Sequence, residues 1–84
     1  MTGAEAGLSL EDGLDLSGMD YDQLWIRQLA VGGDASRLEV EAYVLGLLVA
    51  DAVQHDIIAQ ALNEWFLERG GDHPVAYSEA ATAG

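Results

Sequence analysis

Residues 42–50, AYVLGLLVA, are the longest stretch of this chain without a charge, and they are hard to hide in so short a polypeptide. A helix through them is apolar or small on every side, which a surface helix of a small monomer cannot conceal. Either two neighbouring helices sandwich it or a second subunit does. The chain has 84 residues and no cysteine, so it holds one domain and no disulfide. Cores of this size lean on very good helix packing, a metal or a partner subunit. At nine residues, 42–50 falls far short of the roughly 20 that cross a bilayer.

The pattern around that segment predicts an all-α fold of three helices joined by short loops. Asp20 with Gln23 three residues on starts the first helix, and Tyr21, Leu24, Trp25, Gln28 and Leu29 share one face before Gly32 and Gly33 end it. Ser36 with Glu39 is a capping box that starts the second, expected to continue through Ala50. Along it Ala42, Gly46 and Ala50 stand four apart, a small-residue stripe where another backbone can approach closely. The packing neighbour along the stripe is either a helix of the same chain or that of a homodimer partner. Asp51 caps the third helix, whose apolar face is Val53, Ile57, Ile58, Ala61, Leu62, Trp65 and Phe66, and the Gly70, Gly71 pair stops it.

Outside this three-helix domain (20–71), two flanks are expected to stay loose. Residues 1–19 mix acids and glycines with Leu8, Leu10, Leu14 and Leu16 without a sustained stripe, and read as a flexible acidic leader. Residues 72–84 contain Pro74 and small residues and read as an extended or disordered tail, with Val75 and Tyr77 able to fold back on the core. The leader has no basic residue, so it lacks the positive start of a secretory signal. A cytoplasmic location is expected.

Fifteen acids stand against three arginines and no lysine, a formal charge of −12. Such a field repels phosphate backbones, which argues against direct nucleic-acid binding, and it favours a more basic protein partner.

Nothing in the chain assembles catalytic chemistry. Ser9, Ser17, Ser36 and Ser78 sit in flanks or at a cap with no evident base, and His55 and His73 lack the short paired spacing of a zinc site. Neither metal nor cofactor is expected. Glu39 and Glu41 point to different sides of a helix, whereas Glu64 and Glu68 share a face and read as a partner-facing rim. Gly70 and Gly71 also match a double-glycine cleavage site, the alternative of a ribosomal peptide precursor cut after Gly71.

The stretch GGDASRLEVE is similar to the carrier-site region of acyl and peptidyl carrier proteins, which are acidic, helical and of about this length. That resemblance implies a phosphopantetheine arm on Ser36. The sequence departs from the family because Ala35 separates Asp34 from Ser36 and Arg37 follows. The pattern LAVGGDAS, LEVEAYVLGLL, DIIAQALNEWFLERGG resembles small actinobacterial helical proteins, a likeness that carries no activity with it.

Together these features point to an acidic helical regulator or adaptor that binds a basic protein. Its expected contact residues are Trp25, Tyr43, Trp65, Glu64 and Glu68, with Ala42, Gly46 and Ala50 as the seam. Aromatic side chains supply large contact area at low entropic cost, and acids speed encounter with a basic surface.

Overall fold

A computed structural model describes residues 7–78 of the chain. Four helices follow one another: α1 (Leu10–Ser17), α2 (Tyr21–Ala30), α3 (Arg37–Leu45) and α4 (Ala52–Glu68). The class is all-α as the pattern predicts, but the count is four rather than three.

The additional helix lies in the expected leader. Ser9 accepts a hydrogen bond from the Asp12 amide, and Gly18, at φ 77°, closes the other end in the left-handed conformation. Two leucines one turn apart, Leu10 and Leu14, are enough to bury the helix, with Met19 just beyond it. Leu16 points to solvent, which is why no continuous stripe shows in the sequence. Residues 1–6 of that expected leader lie outside the described residues.

The segment after α4 covers α1 and α4 together. Val75, 1% exposed, sits so close to α1 that a Cβ at Gly13 would stand 2.5 Å from its Cγ2. Leu8 and Val75 form an isolated parallel bridge, with the Leu8 amide donating to Pro74 O (2.7 Å) and the Ala76 amide to Leu8 O (3.0 Å). Asn63, buried in α4, acts as a third strand would: its amide donates to Val75 O (3.0 Å) and its carbonyl accepts from Val75 N (2.9 Å). Further along, His55 Nε2 meets Ala76 O at 3.0 Å and Asp56 accepts from the Ser78 amide at 2.7 Å. A segment with few side chains of its own to bury is held here mainly by hydrogen bonds between its backbone and the side chains of His55, Asp56 and Asn63 on α4. Residues 79–84 of the expected tail lie outside the described residues.

The core centres on α4, which packs against α1 and α2, while α3 packs on α2 and α1. Leu24, Val40, Ile58, Ala59 and Leu62 are its most enclosed apolar residues. Burying such side chains stabilises by about 1.5–3 kcal/mol each for the larger ones. Gln28 lies inside this core and ties the α2–α3 loop to it, its amide donating to Ala35 O (3.0 Å) while its backbone carbonyl accepts from Gly33 N (2.7 Å). The start signals at Asp20, Ser36 and Asp51 are all in place, the first two as full capping boxes.

Candidate protein-docking face

The expected continuous helix through Ala50 does not form, and its break leaves a run of apolar side chains in water. α3 ends at Leu45, and Gly46 takes the left-handed conformation at φ 79°. The Leu47 amide donates to Ala42 O (2.8 Å) and the Gly46 amide to Tyr43 O (3.2 Å), the closure known as a Schellman motif. In that motif the residue after the glycine commonly packs back on the helix. Here it does not: Leu47 is 76% exposed.

Beyond Gly46 the chain is an apolar loop in water. Leu48 is exposed, Val49 is 96% exposed, and Val53 in the first turn of α4 is 66% exposed. Leu45, at the end of α3, is also open, and Leu38, seven residues earlier on the same side of that helix, is 71% exposed. Loops of small domains are ordinarily polar because they gain nothing by being otherwise. A run of leucines and valines there has no folding reason among the described residues.

The small-residue stripe is overturned by the same break. Ala42 lies in α3, Gly46 is its terminating residue and Ala50 is in the loop, so the three do not line one helix and form no seam for a close helix partner. The arrangement was legible in part: an Asp51 that caps α4 needs non-helical backbone, so a preceding helix cannot run to Ala50 without leaving a turn between them.

The aromatic candidates are half-buried. Trp25, Tyr43 and Trp65 all pack against the core cluster. Trp65 meets Phe66 edge to face at 4.9 Å between centroids, and the Arg69 guanidinium covers its ring at 3.9 Å. Arg69 is fixed there by donating to Trp65 O at 3.1 Å. The inward sides of these rings therefore serve the fold.

Glu64 and Glu68 lie about three and about four turns along α4 from Val53, on a shallow groove between α2 and α4 of about 420 Å³ lined by Gln23, Ile26, Arg27 and Ala30 besides themselves. Glu68 accepts both arms of Arg27, at 2.9 and 3.1 Å, which holds its carboxyl below the usual carboxylate range and pushes the Arg27 guanidinium up. Glu64 accepts from the Gln60 amide at 3.1 Å. Ser36, the residue of the carrier resemblance, spends its hydroxyl on the Glu39 amide (3.1 Å), and Glu39 returns a bond to the Ser36 amide (2.9 Å).

All three arginines of the chain are engaged by its own acids: Arg27 by Glu68, Arg37 by Asp22 and Glu41, and Arg69 by Glu68 at 3.7 Å. Near the apolar loop, Asp34 and Asp51 have no ion pair among the described residues. Asp51 caps α4 through the Gln54 amide, and Gln54 in turn donates to Asp34 at 3.3 Å, drawing that exposed carboxylate to the Val53 end of α4. Burial raises the pKa of Tyr21, and its neighbours Glu41, Glu11 and Asp15 add to the shift, a further sign of how densely acid is spread over α1 and α3.

Among the described residues there is no group of three His, Asp or Glu side chains placed to hold a metal ion, and no helix is long and apolar enough to cross a membrane. No family model, no curated protein and no solved structure matches the chain.

Proposed function

We propose that this protein is an association module, a regulator or adaptor that docks another protein on the apolar face formed by Leu38, Leu45 and residues 47–53. It works by binding rather than by catalysis. The observation that carries the reading is the placement of Leu47 and Val49: a chain with a small core leaves these two apolar side chains 76% and 96% exposed, beside Leu45, Leu48 and Val53, which are exposed to a lesser degree. Exposed apolar side chains scattered singly need no explanation, but a contiguous set is characteristic of contact surfaces. The loop bearing them is anchored at both ends, by the left-handed Gly46 and the Asp51 cap. Such anchoring lowers the entropy lost when a partner seats on the loop.

A photo-crosslinking side chain placed at Val49, with another at Asp72 as a comparison, tests this in the cells that make the protein. Discrete higher-mass protein adducts from position 49 and not from 72 are expected. The same pattern from both positions, or none from 49, removes the proposal.

A further inference from the structure

We infer that the occupant of this face is a cationic, apolar-faced segment of another protein and not a second copy of this chain. The inference rests on the docking reading above and goes on to say what docks. Two requirements bear on any occupant: it must cover Leu47, Val49 and Val53, and it must meet the charge around them.

A second copy meets the first requirement and fails the second. Residues 42–50 carry no charge, so two such loops offer one another apolar contact only. Each of the three arginines already pairs with an acid of its own chain: Arg27 with Glu68, Arg37 with Asp22 and Glu41, Arg69 with Glu68. Asp34 and Asp51, at the Val53 end of the patch, have no ion pair among the described residues, and a copy brings more charge of the same sign. Each copy also carries a formal charge of −12, and surfaces in contact lie inside the screening length of about 8 Å at physiological ionic strength. Like charges brought together across an interface oppose association.

A segment with leucines or valines on one side and lysines or arginines at its edges meets both requirements. Its apolar side covers the loop, and its cations reach Asp34, Asp51 and Glu39, the last of which is exposed next to Leu38. The field of the whole chain steers such a segment inward before contact.

The test uses the full chain and two designed helical peptides, one with leucines on one face and lysines elsewhere, the other with glutamates in place of the lysines. Binding is read by fluorescence anisotropy and mass by sedimentation, for wild type, for Leu47→Gln with Val49→Gln, and for Asp34→Asn with Asp51→Asn, where asparagine still caps α4. Expected are a monomer at physiological salt, a lysine peptide that binds while the glutamate peptide does not, and weakening of about tenfold in the apolar variant and about threefold in the charge variant. Equal binding of the lysine peptide to wild type and both variants, or none to wild type, overturns the inference. A wild-type dimer that Leu47→Gln with Val49→Gln dissolves overturns it in favour of a second copy, yet leaves the docking face standing. Binding to neutral phosphatidylcholine vesicles that the same variant abolishes assigns the face to a lipid surface and overturns both.

Discussion

The flanks of this chain and its middle exchange the roles that their compositions suggest. Residues 8–17 interleave four leucines with acids and a glycine, and 73–78 offer only Val75 and Tyr77 as larger apolar side chains, yet both segments close the core. Leu10, Leu14 and Val75 are buried there, and Asn63 holds the backbone of Val75 by two hydrogen bonds. Residues 42–50 are the longest uncharged stretch of the sequence, yet Leu47 and Val49 stand in water. Burial in a domain this small is decided by which backbone can be brought alongside α4 with its polar groups satisfied, and hydropathy by itself is a poor guide to that.

The contrast predicts effects of very different size. Removing the Asn63 side chain, as Asn63→Ala, strips both partners from the buried Val75 backbone and is expected to cost about 3 kcal/mol, measured by urea unfolding. A loss under about 1 kcal/mol would mean that the segment is not held as described. Gly46→Ala comes next and separates two structures by sign. With the glycine in its left-handed position, alanine is expected to destabilise by about 1 kcal/mol; in an unbroken helix through Ala50, it would stabilise by a similar amount.

Smaller still, the double change Leu47→Gln with Val49→Gln is expected to leave unfolding free energy within about 0.5 kcal/mol of wild type, while binding of an apolar fluorescent dye falls. A large loss of stability would place those side chains in the core. Least of all is Glu68→Gln, which is expected to show itself in pH dependence. Arg27 holds the Glu68 carboxyl below its ordinary 4.5, so the pair contributes above that value and its contribution disappears as the pH falls through the lowered one. The wild-type and variant unfolding curves are therefore expected to differ at neutral pH and converge in acid; a difference that persists in acid would mean that the ion pair is not its source.

Capping chemistry made much of this structure readable from sequence. Asp20, Ser36 and Asp51 each offer a short acceptor before an apolar-periodic run, and each caps a helix. Gly32 and Gly70 are equally plain as left-handed positions. α1 was hidden because its inner face needs only Leu10 and Leu14, and its exposed Leu16 blurs the period. The role of Asn63 left no local signal, since its partner is twelve residues away on a segment with no regular structure. The exposed apolar face was half visible: its excess of apolar surface shows in the composition of 38–50, but its form depends on reading Gly46 as a terminator. Tyr43 and Trp65, contact residues by type, are turned largely to the core by helix faces whose neighbours only the fold supplies.

The bridge between Leu8 and Val75 also bears on how the chain is made. Synthesis runs from the N-terminus, so α1 emerges before its cover, and its inner leucines wait for a valine encoded about 60 residues later. Until Val75 has left the ribosome, the cleft between α1 and α4 has no lid, and the nascent chain carries a second apolar surface beside the permanent one. A stop or a stall shortly before that valine would release a product with all four helices encoded and its seal missing, the form of this protein with most reason to stick to its neighbours.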